Sequence, residues 1–261
     1  MNPAVVILAG QRAGARDPLA AAAGVSHKAL APVAGVPMLV RTLRTVAAAL
    51  PQAPLLLSIE DAGVLDGLPE VASLRDGGRL RTVEARANIV DSVLACADVA
   101  GTPMILTTAD NVLVTPAALR RLVTFLRVSP ADAVMCMARR ESVLAAHPEG
   151  QRKFYRFRDG EFSNCNLYAF RTDRALRVAE AFREGGQFVK HPARIARAFG
   201  LANLAHFRLG TRTLRRTCEA IGRRFGVDLQ PLVMADGRLS IDVDNERTLR
   251  VTEEILAREA A

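Results

Sequence analysis

The 261-residue chain is poor in lysine, holds few cysteines and has no long apolar run. Its largely apolar runs end after a few residues, as at Leu55–Ile59 and Pro103–Leu106, far below the ~20 that cross a bilayer. A membrane-spanning helix is therefore not expected. Met1-Asn2-Pro3 leads directly into a strand-like run with no basic stretch before it, so no secretory signal is expected either. The four cysteines (Cys96, Cys136, Cys165 and Cys218) form no CxxC pair and have no histidines at zinc-finger spacing. That favours reduced thiols in a cytoplasmic protein over a disulfide framework or a zinc site. GxGxxG and GK[ST] are also absent, which excludes a dinucleotide fingerprint and a Walker-type phosphate loop.

Half the residues are apolar and 24% are charged, the composition of a globular chain. The 35 basic residues include only three lysines, Lys28, Lys153 and Lys190, and outnumber the 27 acids to give a net charge of +8. Residues 139–224 hold 19 Lys+Arg and 8 Asp+Glu, a surplus of +11, while the remainder has 16 cations and 19 acids. One segment thus carries the whole basic balance, and its expected partner is anionic.

Ala4–Leu8 is a continuous β-branched, apolar run, as expected of a parallel strand buried on both faces. Leu39, Leu43, Val46 and Leu50 fall at helical spacing between Pro37 and Pro51. Strands are predicted at Leu55–Glu60, Met104–Thr108, Ala133–Ala138, Asn166–Phe170 and Leu239–Val243, with a hairpin over Phe154–Phe162 turning at Asp159-Gly160. Helices are predicted at Ile89–Asp98, from Pro116 behind a Thr115 cap to about Val128, at Asp173–Arg183, over 192–225 with breaks near Gly200 and Gly210, and at Glu246–Glu259. Strands alternating with helices imply right-handed crossovers and a mostly parallel sheet. The expected fold is α/β, a Rossmann-like, mostly parallel mixed sheet flanked by helices. It forms one domain over residues 1–261 with a basic α+β insert at 139–224.

Four segments carry candidate chemistry. Leu8-Ala9-Gly10-Gln11-Arg12-Ala13-Gly14-Ala15-Arg16 is a glycine-bearing turn at the end of a parallel strand, where backbone N–H groups approach a phosphate and arginines add charge. Ser26-His27-Lys28-Ala29-Leu30 leads into Pro32-Val33-Ala34-Gly35-Val36-Pro37-Met38-Leu39. Asp110, in Thr107-Thr108-Ala109-Asp110-Asn111, ends a buried strand where a carboxylate can hold Mg²⁺ against nucleotide phosphates. Asp242 and Asp244, read as i and i+2 on a strand, would share a face.

These segments resemble the nucleotidyltransferases of the molybdenum-cofactor (MobA-like) type, whose wider group includes cytidylyltransferases of isoprenoid synthesis and sugar-phosphate nucleotidyltransferases. That family opens with a strand, a Gly-rich turn ending in arginine, and K-x-L-x-x-x-x-G-x-P-[ML]. Lys28, Leu30, Gly35, Pro37 and Met38 match it; Gln11 departs from it, standing where a second glycine is usual. The resemblance implies a GT-A-type fold and Mg²⁺-dependent transfer of NMP from an NTP to a phosphorylated acceptor. Leu8, Ala9, Gly10 and Gln11 would bind nucleotide, Lys28 and either Arg12 or Arg16 would neutralise its phosphates, and Asp110 would bind the metal. Asp242–Leu249 resembles the closing motif D-[IV]-D-T-P-E-D-L, with Asn245-Glu246-Arg247 replacing T-P-E. Asp244 is the favoured metal ligand there and Asp242 its support, roles that can swap. Asp91-Ser92-Val93-Leu94-Ala95 is similar to the base-binding helix start of isoprenoid-pathway cytidylyltransferases. Ser92, with Arg86 and Asn88 in the preceding loop, therefore favours CTP. Ser163–Phe170 is similar to an acceptor strand, N-x-G-x-Y-x-F, with its glycine replaced.

The acceptor is expected to be a sugar, polyol or glycerate-type phosphate, held by Arg152, Lys153, Arg156, Asn164, Asn166 and Lys190. The alternative is GTP- or CTP-dependent transfer of the molybdenum-cofactor type. Two readings from other classes use the basic segment. One is nucleic-acid binding, with Phe154, Tyr155 and Phe157 interleaved among cations; it leaves the other motifs unexplained, so no nucleic-acid partner is expected. The other is a peripheral membrane contact through Lys190–Arg216, a stretch that also suits a homodimer interface.

Overall fold

The computed structural model describes residues 2–11, 17–180 and 200–260. Its strands are β1 (Ala4–Leu8), the short β2 (Pro32–Val33) and β3 (Val36–Pro37), then β4 (Leu55–Ile59), β5 (Leu80–Glu84), β6 (Met104–Thr108), β7 (Ala133–Arg139), β8 (Tyr155–Phe157), β9 (Gly160–Phe170) and β10 (Leu229–Met234). The helices are α1 (Pro18–Ala22), α2 (Met38–Ala49), α3 (Pro69–Asp76), α4 (Ile89–Ala100), α5 (Pro116–Val128), α6 (Arg140–Ala146), α7 (Leu176–Glu180), α8 (Leu201–Leu209), α9 (Leu214–Phe225) and α10 (Glu246–Ala260). The main sheet has the order β10-β7-β9-β6-β1-β4-β5, with β8 added to β9. β1 is parallel to β4 and β6, β4 to β5, and β10 to β7, while β9 runs against β6 and β7. This is the mostly parallel mixed sheet that the alternation of strands and helices implied.

Both faces are covered, which is why β1 reads as an unbroken apolar run. Val5 and Ile7 enter one core together with Leu39, Leu43 and Val46 of α2 and Leu119 and Leu122 of α5. Ala4 and Val6 enter the other with Val93 and Cys96 of α4 and Leu214 and Cys218 of α9. α5 begins as its cap dictates: Thr115 accepts the Ala118 N–H and Pro116 takes the first turn, where no N–H is needed. The four cysteines are buried and free. Burial pushes the Cys96 thiol up to about 11 and that of Cys218 to about 12, so neither is a reactive thiolate at neutral pH.

The predicted elements differ from the structure in a few places. Leu239–Val243 is not a strand: Gly237–Ser240 makes a 3-10 turn and the final strand is β10. Ile241 and Val243 are apolar because their side chains fill the core, not because they pair. β10 went unread because Pro231 argues against a strand; it is tolerated at the sheet edge, where ladder donors are dispensable. α3 and β5 were also missed, since the edge strand buries only Leu80 and Val83 of its five residues. The hairpin forms, but Phe157 pairs with Gly160, so the connection is Arg158-Asp159 and β9 is one long strand. The helix expected at Asp173–Arg183 is a 3-10 turn, Asp173–Ala175, followed by α7, and residues 181–183 lie outside the described residues. The break near Gly210 is a left-handed cap with φ of 61°.

Candidate active site

The parallel strands deliver their carboxyl ends to one edge of the sheet, where open α/β sheets place ligands. Past β1, Ala9 donates to the Ser58 carbonyl (2.8 Å) and Ala109 to the Leu8 carbonyl (2.8 Å), which draws the turns after β1, β4 and β6 together. Gly10 is required by crowding: a Cβ there would stand 2.9 Å from Ala85 Cβ and 3.1 Å from Glu60 Oε2. Gln11 donates its backbone N–H to both Glu60 oxygens (3.2 Å each) and its side-chain amide to the Ser26 carbonyl (3.2 Å). Its own Oε1 is buried and finds no partner among the described residues. His27, buried, reaches Glu60 through Nε2 at 3.1 Å.

Lys28 stands on the 3-10 turn Lys28–Leu30. Behind it the β2–β3 hairpin turns through Ala34 and Gly35, both at positive φ (46° and 76°), the geometry for which glycine is suited. Thr42 of α2 donates to the Ala109 carbonyl (3.0 Å), fixing this segment against the loop that bears Asp110.

The Lys28 ammonium donates to Asp110 Oδ2 at 2.6 Å and Asp244 Oδ1 at 2.8 Å, joining positions 82 and 216 residues away along the chain. Thr108 donates its hydroxyl to the other Asp110 oxygen at 2.5 Å. Thr248 accepts the Asp244 and Asn245 N–H groups (2.8 and 3.1 Å), and Val243 N–H binds the Asp110 carbonyl (3.1 Å). Burial pulls the Lys28 pKa down, but the two carboxylates outweigh it and the ammonium is held above its ordinary value. Asp242 is driven the opposite way. Burial, then the charges of Asp244 and Asp110, raise its carboxyl well above the usual range, with a side-chain hydrogen bond to Asp244. Asp242 and Asp244 do meet, although through an irregular segment rather than the shared strand face expected of them.

The loop expected to read the base lies beside Gly10, since Ala85 is the residue that a Cβ at Gly10 would strike. Ser92, buried, accepts the Arg86 N–H (2.8 Å) and donates to the Asn88 carbonyl (3.1 Å). Asn88 caps α4 by accepting the Asp91 N–H (2.9 Å). The Ser92 hydroxyl therefore shapes the loop, while the half-exposed Arg86 side chain pairs with Glu84 at 3.3 Å.

In the strand expected to hold the acceptor, Asn164 donates to Asn166 Oδ1 (3.2 Å) and to the Tyr168 hydroxyl. Arg152, Lys153 and Arg156 are exposed, and among the described residues no side-chain hydrogen bond or ion pair ties them to the Lys28 cluster. Arg12, Arg16 and Lys190 lie outside the described residues. Phe207 packs on Tyr155 and Phe157, with ring centroids 5.8 and 5.9 Å away. Those aromatics are thus a lobe core rather than an exposed stacking platform. No described helix is long and apolar enough to cross a membrane. Glu60, His27, Thr108 and Thr248 were not read from the sequence as site residues. His27, Thr108 and Thr248 stand inside the candidate segments, and Glu60 is a carboxylate at the end of a predicted strand.

Among the described residues no three His, Cys, Asp or Glu side chains form a ready-made metal cage. Asp110 and Asp244 nevertheless converge on one cation, the Lys28 ammonium, and present hard oxygen donors.

Residues 5–225 match the family model described as the MobA-like NTP transferase domain. No curated protein matches the chain. Among solved structures, a hypothetical transferase from Thermus thermophilus is 24% identical with a TM-score of 0.78, covering 95% of this chain and 100% of its own. CMP:2-keto-3-deoxy-manno-octonic acid synthetase, complexed with CTP, is 16% identical with a TM-score of 0.61, covering 99% and 100%. The 4-diphosphocytidyl-2C-methyl-D-erythritol synthase of Anaerococcus prevotii is 11% identical with a TM-score of 0.58, covering 98% and 99%. At these identities the structural likeness establishes the fold.

Proposed function

Since the chain belongs to the MobA-like NTP transferase family and is a nucleotidyltransferase, we propose that it transfers NMP from an NTP, with CTP favoured, to a small phosphorylated acceptor and releases pyrophosphate. The observation that carries this reading is the Lys28 ammonium clasped by Asp110 and Asp244 at the carboxyl edge of the sheet. Two fold relatives described as a CTP complex and a diphosphocytidyl synthase support CTP, as does the resemblance of Asp91-Ser92-Val93-Leu94-Ala95 to a cytidylyltransferase helix start.

In the reaction an acceptor phosphate oxygen bonds to the α-phosphorus while the bond from that phosphorus to the bridging oxygen breaks, and pyrophosphate leaves with the electron pair. The protein has little covalent chemistry to supply; positioning and charge neutralisation do most of the work. Lys28, charged across the working pH range, stabilises the phosphate oxygens and the departing pyrophosphate. Gly10 lets the β1 turn pack against Ala85 and Glu60, Glu60 and His27 hold that turn through Gln11, and Arg12 or Arg16 adds charge. Asp110 and Asp244 would hold Mg²⁺, which needs only one or two carboxylates beside substrate phosphates and water. When bound it neutralises charge on the nucleotide. Asp242 sets the position of Asp244. The basic segment 139–224 attracts the anionic acceptor, and Asn164 and Asn166 orient it.

A pyrophosphate-release screen of CTP, GTP, UTP and ATP against small phosphates tests this reading. CTP is expected to turn over fastest; release with GTP and a molybdenum-cofactor precursor alone would replace the cytidylyl reading.

A further inference from the structure

Among the described residues, a cavity of about 370 Å³ lies between the sheet and helices α4, α7, α8 and α9. Its walls are mostly apolar: Leu106 and Phe170 from the sheet, Val93 from α4, Leu204 and Phe207 from α8, and Ile221 from α9. Protein interiors are close-packed, so an apolar space this large stands out, and its size falls within the range of small-ligand sites.

One set of polar liners follows β9. Asn164, Asn166 and Tyr168 line the cavity at alternate positions along β9, and Phe170 follows them. Phe170 stands opposite Met104 at the start of β6 and Tyr168 opposite Leu106. Asn111, just past the end of β6, binds the Cys165 carbonyl at 3.0 Å. The asparagines therefore stand at the carboxyl edge of the sheet and the phenylalanine toward the opposite edge. Ser240, two residues before Asp242, donates to the Ser163 carbonyl at 3.3 Å and meets Cys165 Sγ at 3.4 Å, so the asparagine end of β9 adjoins the segment that bears Asp242 and Asp244. The other polar liners are engaged locally: Arg212 binds Asn203 at 2.6 Å, His206 binds Thr211 at 2.7 Å and Thr217 donates to the Thr213 carbonyl at 3.0 Å.

Resting on nucleotidyl transfer at this site, we propose that the acceptor is a phosphomonoester with an apolar body, its phosphate at the Asp110–Asp244 end and its hydrocarbon in the cavity. At roughly 30 Å³ per water-sized group the space takes about a dozen such groups, the size of a decyl or ten-carbon isoprenoid chain. A sugar body would place several hydroxyls against described walls that are mostly apolar, and each hydroxyl left unpaired there would lose its hydration uncompensated. Asn164, Asn166 and Tyr168 suffice for the oxygen atoms next to the phosphate. The product is an apolar alcohol joined through a diphosphate bridge to the nucleoside, with pyrophosphate released.

The test uses the full chain with Mg²⁺ and the NTP selected above, comparing decyl phosphate with glycerol 3-phosphate as acceptors. Decyl phosphate is expected to support pyrophosphate release with a kcat/KM at least about tenfold higher. Ala179 of α7 also lines the cavity; Ala179→Trp and Leu204→Trp, two independent ways to fill it, should each raise the KM for decyl phosphate about tenfold or more. NTP affinity by equilibrium dialysis should stay unchanged. Brisk turnover of glycerol 3-phosphate with none of decyl phosphate would overturn the proposal and leave nucleotidyl transfer standing. So would an unchanged KM in a folded variant. Conversely, calorimetric binding of decyl phosphate that either tryptophan abolishes, with no NTP turnover on any acceptor, would support the apolar site and defeat the transfer reading beneath it.

Discussion

Lys28 is one of three lysines in the chain, and its role depends on what surrounds it. An ammonium 2.6 Å from Asp110 and 2.8 Å from Asp244 cannot be replaced by a neutral side chain without leaving carboxylates facing each other. Lys28→Ala and Asp110→Ala are each expected to lower kcat for pyrophosphate release by about 10²–10³-fold, the usual cost of removing one preorganised charge, with circular dichroism unchanged. Full activity in either variant would refute the site assignment. Asp242 gives a separate, signed prediction. Its folded-state pKa is raised, so it costs no stability below the unfolded value near 3.9 and lowers stability as pH rises through the folded value. Asp242→Asn should therefore melt higher than the wild type at pH 8, with the advantage shrinking toward pH 4. An advantage that grew in acid would contradict the burial and like-charge account.

Two junctions between elements depend on residues far from the chemistry. Gly237 opens the 3-10 turn packed on α6, and a Cβ there would lie 2.1 Å from the Ser142 carbonyl oxygen. Backbone cannot yield as a flexible side chain does, so Gly237→Ala should cost about 1–3 kcal/mol in urea unfolding. It would also disturb the Asp242–Asp244 segment that follows. Asp132 joins β7 to β10 and the turn before α7, accepting from Asp228 N–H (2.8 Å) and Arg174 (2.6 Å). Burial works against its charge, but those donors outweigh it and hold the carboxyl below its ordinary pKa. The stability it contributes is present above the ordinary carboxylate range and is lost as pH falls through the depressed value. In Asp132→Asn, stability between pH 6 and pH 3 should fall less steeply than in the wild type, as equilibrium unfolding would measure.

At the scale of the whole molecule, a slightly acidic nucleotide region carries a segment with a surplus of +11. Exposed Arg152, Lys153 and Arg156 make a diffuse field rather than a built pocket, and such fields are screened over about 10 Å at 0.1 M salt. Raising NaCl from about 0.05 to about 0.5 M should therefore increase the KM for an anionic acceptor several-fold while changing kcat little. A salt-independent KM would remove the segment from acceptor capture.

Much of this organisation was legible along the chain. Local causes are visible locally: β1 as an apolar run, Thr115-Pro116 opening α5, Gly35 at a positive φ and the family spacing around Lys28 all show in a few consecutive residues. The edge strand β10 was hidden because Pro231 obeys a rule that only its place in the sheet reveals. Asp242 and Asp244 were read as partners for the wrong reason, because alternation along a strand and a compact turn both bring i and i+2 together. The sequence by itself determined the α/β class, the family and the identity of the charged residues, since these follow from patterning and motif spacing. It took the folded structure to show that Lys28 is clasped by two aspartates, that Glu60 and His27 brace the turn after β1, and that an apolar cavity adjoins β9. Each of those depends on distances between residues remote in the chain, which are set when the strands take their order and bring their carboxyl ends to one edge.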